Sequence, residues 1–403
     1  MWPEDSGRLV LAAVVALQVS GTAVAPQRGL GVTPREARFD AATFDPVVLA
    51  GIRRGAYPGA ALAVGRRDTL LFLKGYGRLT WSPRSAVVEP ESTLYDVASV
   101  TKVVATTTAL MILVDRGTVR LDAPVVSYLP EFTGPGTAPV TVRMLLAHTS
   151  GLRADIPPAA RRAAPDAAAL WRLAVAETPR ATPGTRVLYS DVNALLLGEI
   201  VRRASGEPLD AFAAREILGP LGMRDALFRP PSRLLRRIAP TGMWRGHPVA
   251  GVVNDPTAYK LGGVTGSAGL FATARDLARF AQFMLRGGVT ADGRRLVRAE
   301  TLREFTTRAA YAGGATEARA LGWQAVPTGE TVSSAGTRFG PRSIGHTGWT
   351  GTSLWIDPER DLFVVLLTNR AFAPRGRHPF TVVKQVRGRL ADAAAVASDA
   401  RTR

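Results

Sequence analysis

The chain has 403 residues, 46% of them hydrophobic, which suits one large core or two lobes sharing a cleft and excludes a disordered or fibrous protein. Cysteine is absent, so disulfides, thiolate nucleophiles and thiolate metal sites are excluded as well. The formal charge of +18 invites a nucleic-acid reading, but the arginines are scattered in short groups such as Arg53-Arg54, Arg161-Arg162 and Arg236-Arg237, and no nucleic-acid partner is expected.

In chain order, residues 9–25 (LVLAAVVALQVSGTAVA) join an apolar run to small residues. Residues 1–25 therefore read as a signal peptide cleaved after Ala23 or Ala25, or as a retained N-terminal anchor. The segment is short for a membrane span and carries Gln18 and Ser20. An exported protein, periplasmic or extracellular, is the expectation, with membrane contact only through this segment if it stays uncleaved. Residues 26–38 read as a linker, 39–395 as a single domain and 396–403 as a tail.

Within that domain, helical spacing covers AATFDPVVLAGIRRGA (41–56), and residues 58–77 predict two strands about a turn at Arg66 to Asp68. A helix over 99–116 follows. A mostly helical subdomain is expected at about 121–254, with its clearest pieces at 140–152 (VTVRMLLAHTSGL) and 195–205 (LLLGEIVRRAS). Four strands are then predicted in ALGWQAV, RSIGHTG, TSLWIDP and LFVVLLTNR, with DPERD (357–361) as a hairpin turn. A final helix covers about 378–396. Strand-rich parts at about 39–120 and 255–395 around a helical middle define an α/β class: an antiparallel β-sheet flanked by N- and C-terminal helices, plus the helical subdomain, with a cleft between them.

One residue in YDVASVTKVVAT (95–106) stands out. Only four of the 51 basic residues are lysines, yet Lys102 lies three places after Ser99 in an apolar stretch. An i to i+3 spacing on a helix puts both side chains on one face, and an amine, unlike a guanidinium, can surrender its proton and act as a base toward a hydroxyl. At the opening of that helix, unpaired backbone N–H groups can face an oxyanion. The plainer alternative is a helix N-cap followed by an incidental lysine.

Six segments resemble, in order and spacing, the serine β-lactamase and penicillin-binding-protein-like superfamily, and its class C-like branch in particular. They are FDPVVLAGIRRGAYPGAALAVGRRD, LYDVASVTKVVATTTALMILVDRGTVRLDAPVVSYLPEF, MLLAHTSGL, YSDVNALLLGEIV, ILGPLGM and GSAGLFATARDLARF, and the resemblance runs over about residues 40–390. That branch includes carboxylesterases and D-amino-acid peptidases.

The resemblance implies a β-lactamase/transpeptidase-like fold, a catalytic domain without metal or cofactor, and a covalent acyl-enzyme. By it, Ser99 is the nucleophile, Lys102 helps remove its proton, and Tyr189 of YSD (189–191) relays protons to the leaving group. Asp191 stands where an amide is usual. It can hold Lys102 protonated and shift the base role toward Tyr189, while Asn193, one turn on, offers a substitute amide. His346, Thr347 and Gly348 replace the usual Lys-Thr-Gly, so Asp191, His346, Thr347 and Gly348 are the expected substrate-binding residues. The N–H groups of Ser99 and Trp349 form the expected oxyanion hole.

A histidine at 346 is mostly neutral near pH 7, which favours neutral esters or amides over carboxylate-bearing β-lactams or peptidoglycan-like D-alanyl peptides. His148 reads as a buried, hydrogen-bonded residue of structural rather than catalytic use, and His247 and His378 as loop residues without partners. No Gly-x-Ser-x-Gly elbow, His-Glu-x-x-His pair or phosphate-binding Gly-rich loop occurs. Gly262 to Gly266 reads as a tight turn near the site. The expected function is an exported serine acyl hydrolase for small esters or amides. The alternatives are a β-lactamase or D-alanyl-D-alanine carboxypeptidase, and a penicillin-binding sensor that acylates without turning over.

Overall fold

Strands β1 (Gly59–Gly65) and β2 (Leu70–Gly77) pair antiparallel, with Ala60 opposite Tyr76, about the turn foreseen at Arg66. They begin the six-stranded antiparallel sheet of the computed structural model, which describes residues 39–309, 318–327, 333–372 and 380–400. The sheet continues with β3 (Gln324–Ala325), β4 (Ile344–Thr347), β5 (Ser353–Asp357) and β6 (Leu362–Thr368), in the order β2-β1-β6-β5-β4-β3. The first and last strands in chain order therefore meet at the sheet's centre, where Ala60 lies opposite Thr368.

Every residue of β1 and β6 is buried, because helices cover both faces of the sheet. Alternate residues serve opposite layers. Leu62, Val64, Val364 and Leu366 pack with Val48 of α1 (Asp45–Arg53) and with Val383, Val386 and Leu390 of the C-terminal helix. Ala61, Ala63, Val365 and Leu367 face the other way, into the core that holds Leu277 and Phe280. Burial of each Leu or Val contributes about 1.5–3 kcal/mol, and this two-sided covering fixes the register, since a one-residue slip would exchange the layers.

The helices that frame the sheet and the site are α1, α2 (Thr108–Asp115), α3 (Val142–Leu146), α4 (Asp191–Ser205), α5 (Ala274–Leu285) and α6 (Phe380–Asp399); further helices, among them Ala167–Val175 and Ala299–Thr306, lie between them. Three differ from expectation. The helix placed at 99–116 begins just after Ser99, and its first part, Lys102–Thr107, winds as a π-helix before α2. The helix placed at 140–152 stops at Leu146, because His148 and Gly151 adopt left-handed backbone angles (φ 57° and 77°). Ser190 caps α4 by accepting from the Asn193 N–H, and left-handed Gly206 ends it. Helix α6 reaches Asp399, so residues 396–399, expected as tail, are helical; Ser398 is buried and Arg360 pairs with Asp399 at 3.0 Å.

The middle region also contains β-structure that helical spacing does not announce. Leu270–Ala272 pairs with Tyr95–Asp96 and with Leu227–Phe228, and Gly242–Trp244 forms a hairpin with His247–Val249. The expected signal segment and linker lie outside the described residues. No helix among the described residues is long and apolar enough to cross a membrane.

Candidate active site

Position 99 is set by a local strain. Ala98 sits at φ 48°, a region that costs a non-glycine residue about 1–2 kcal/mol, and its N–H donates to the buried Asp96 carboxylate at 2.8 Å. Burial pushes the Asp96 pKa up to about 6, opposed by the N–H groups of Asn254 and Ala98. Three 3₁₀-type bonds follow, ending with the Lys102 N–H on the Ser99 carbonyl (3.1 Å), and among the described residues the Ser99 N–H has no acceptor.

Lys102 reaches back from the π-helical segment with a side chain only 4% exposed. Its Nζ donates to Ser99 Oγ at 3.1 Å and to the Ser267 carbonyl at 2.9 Å, and lies 2.6 Å from Asp191 Oδ1. Two hydrogen bonds and an ion pair, with the Tyr189 hydroxyl beside them, thus surround an ammonium group. Burial alone lowers the lysine pKa, but the Asp191 carboxylate, followed by Tyr189, outweighs it and holds the value above the ordinary one. The resting form is thus an ammonium, as the Asp191 alternative anticipates, rather than a neutral amine. The Ser267 carbonyl directly follows the glycine turn, where Gly262 and Gly263 are left-handed.

Tyr189 precedes the Ser190 cap. Its hydroxyl interacts with both Lys102 and Ser99, and burial, then Asp191, raise its pKa against the opposing pull of Lys102. His148 supports the ring, with centroids 4.6 Å apart. Its Nδ1 accepts from the Ser190 N–H at 3.1 Å, so the neutral ring carries its proton on Nε2. Burial, then Arg319 and Lys102, hold the His148 pKa well below its ordinary value. Asn193 does not supply the missing amide, because its Oδ1 accepts from Ser150 Oγ at 2.6 Å and its Nδ2 lies 3.4 Å from His148 Nδ1.

His346 is buried on β4, with Nδ1 3.0 Å from the Thr347 carbonyl. Since a carbonyl only accepts, Nδ1 carries the proton, and Nε2 is an acceptor without a partner among the described residues. Burial, then Arg319 and Lys102, lower its pKa well below the ordinary value, so the ring is neutral. Thr347 ends β4, half-buried, opposite Ser353.

Gly348 follows. A Cβ there would lie 2.1 Å from Thr352 Oγ1 and 2.6 Å from the Val97 carbonyl, so the fold's own packing requires the glycine. Thr350 and Thr352 hydroxyls donate to the carbonyls of Asp96 and Val97 at 2.7 and 2.9 Å, tying the β4–β5 loop to the turn before Ser99. Trp349, 63% exposed, has a backbone N–H without an acceptor among the described residues.

Two arginines join the site without having been singled out in the sequence. Arg319 is buried 5.0 Å from the Tyr189 ring centroid, and Arg387 of α6 donates to the Gly348 and Thr352 carbonyls at 3.0 and 2.8 Å. His247 lies exposed on the hairpin away from this cluster, and His378 falls outside the described residues. Among the described residues no group of three or more His, Asp or Glu is arranged to hold a metal ion.

A helix-covered antiparallel sheet with a Ser–Lys–Tyr cluster at its edge defines the serine hydrolases of the β-lactamase/transpeptidase-like fold. The profile of the Beta-lactamase family matches residues 41–386, and the chain belongs to that family. Its relatives include the Escherichia coli (strain K12) protein named "Putative D-alanyl-D-alanine carboxypeptidase", 32% identical over 354 residues that cover 79% of this chain and 80% of that one. Among solved structures, a penicillin-binding protein homologue from Caulobacter crescentus superposes with a TM-score of 0.69 at 25% identity, covering 90% of this chain and 99% of the other. A family VIII carboxylesterase shares the fold with a TM-score of 0.68 at 21% identity, over 90% and 99% of the two chains.

Proposed function

We propose that the protein is an exported acyl hydrolase that cleaves small esters or amides through a covalent acyl-enzyme on Ser99. The contact that carries the proposal is the 3.1 Å approach of Lys102 Nζ to Ser99 Oγ, with the Tyr189 hydroxyl in touch with both. Ser99 Oγ attacks the substrate carbonyl as its proton passes to Lys102, which releases another proton along the 2.6 Å contact to Asp191. The Asp191 carboxylate, as the anion of this cluster, is the proton sink. The N–H groups of Ser99 and Trp349 hold the tetrahedral oxyanion. Tyr189 delivers its proton to the departing alkoxide or amine and is reprotonated by Lys102, which recovers the proton held on Asp191. Water then attacks the acyl-enzyme, its proton passes along the same Lys102 to Asp191 path, and Tyr189 returns a proton to Ser99 Oγ as the acid leaves.

Neutral His346 beside the cleft favours uncharged substrates. A D-alanyl-peptidase activity is the second reading, favoured by the buried guanidinium of Arg319, which keeps a permanent cation close to the position where histidine replaces lysine. One purified sample offered p-nitrophenyl butyrate, nitrocefin and a D-alanyl-D-alanine peptide decides between them. Ester turnover is expected to dominate, with a single fluorophosphonate adduct on Ser99 by mass spectrometry. An unmodified Ser99 in folded protein overturns the scheme, and acylation without repeated turnover indicates a sensor.

A further inference from the structure

We propose that Arg387 is a positioning residue that fixes and polarises the Trp349 N–H of the oxyanion hole by holding the Gly348 carbonyl of the same peptide group. The inference rests on the reading of Ser99 and Trp349 given above. It starts from a charge in an unexpected place. Arg387 is 2% exposed, has no carboxylate partner among the described residues, and leaves Nε and Nη1 without acceptors there. Burial, then Arg370, lower its pKa to about 9, which still leaves a cation at neutral pH. A buried, unpaired charge costs several kcal/mol relative to an apolar side chain of the same volume, so packing alone does not account for it.

Its one bonded nitrogen, Nη2, bridges the two ends of the loop that carries Trp349, donating to the Gly348 carbonyl at 3.0 Å and the Thr352 carbonyl at 2.8 Å. The loop closes on itself through Gly348 N–H to Thr352 O (2.8 Å) and Gly351 N–H to Gly348 O (3.0 Å). The Gly348 C=O and the Trp349 N–H belong to one trans peptide plane and point in opposite directions. A cation on the oxygen end therefore sets the direction of the N–H end and withdraws electron density from it, which strengthens its donation to an anion. The peptide's own residue packs against the turn that carries the nucleophile, since a Cβ on Gly348 would stand 3.2 Å from the Ala98 Cβ. The Phe380 ring, 5.2 Å from the guanidinium and stacked with the Trp349 indole at 6.0 Å, closes the same corner.

The test compares full-length Arg387→Lys, Arg387→Gln and Arg387→Met with wild type, reading Ser99 labelling by fluorophosphonate, kcat and KM for p-nitrophenyl butyrate, and Tm. Loss of polarisation is expected to lower kcat about 30-fold in the Gln and Met variants, less than the 100- to 1,000-fold cost of deleting an oxyanion donor. KM is expected to stay within about twofold, and Lys to recover most of the rate. If the Met variant does not fold, the Lys and Gln pair carries the comparison. A folded Gln variant with wild-type kcat, or Lys no better than Gln, overturns the role of Arg387 while labelled wild type leaves the catalytic reading intact. Wild type that neither labels at Ser99 nor turns over overturns both.

Discussion

Asp191 decides what Lys102 can be. The carboxylate holds the ammonium form against its own burial, so the side chain works as a relay between Ser99 and an anion. Lys102→Arg keeps the cation and its pairing with Asp191 but removes the transferable proton, and ester turnover should fall at least about 100-fold with little change in Tm. Asp191→Asn leaves a buried ammonium unpaired, which should destabilise the fold by about 3–5 kcal/mol at pH 7. Burial then depresses the folded-state pKa of Lys102 below its unfolded value, the native state binds fewer protons, and stability must rise with pH between those two values. Urea unfolding of this variant at about pH 7 and about pH 9.5 should show that recovery, and a pH-independent deficit would contradict the ion-pair account.

The β4–β5 loop and the turn before Ser99 act as one unit because each fills the other's space. Gly348→Ala should push the loop off the Val97 carbonyl, lowering Tm and costing kcat more than KM; unchanged kinetics would show that the contact does not position the Trp349 N–H. The same scale shows what the sequence disclosed. Ser99 and Lys102 were legible because lysine is rare here and the spacing is local. The central strands were legible because two-sided burial writes a continuous apolar run. Arg319 and Arg387 were not, since arginine is everywhere in this chain and their partners lie far away in sequence. The aim of Asn193 was lost for a related reason, because its position on α4 places it one turn from Tyr189, while His148 and Ser150 from a distant loop determine where its amide points. Short strands such as Tyr95–Asp96 carry too few residues for any periodicity.

At the scale of the molecule, the excess of 18 positive charges opposes compaction. Surface pairs such as Arg143 with Asp122 (2.6 Å) and Arg202 with Glu199 (2.6 Å) offset little of this, each worth less than about 1 kcal/mol. Raising NaCl from about 10 mM to about 300 mM should therefore increase Tm by a few degrees as long-range repulsion is screened. A fall in Tm would mean that the local pairs outweigh the net charge.

The pairing of β1 with β6 joins the first strand of the sheet to its last in chain order. During translation the first hairpin must wait, its inner edge open, until β6, which begins only at Leu362, has left the ribosome. A nascent or prematurely terminated chain therefore presents that unpaired edge to its neighbours, and truncation before β6 is expected to yield aggregation-prone, inactive protein.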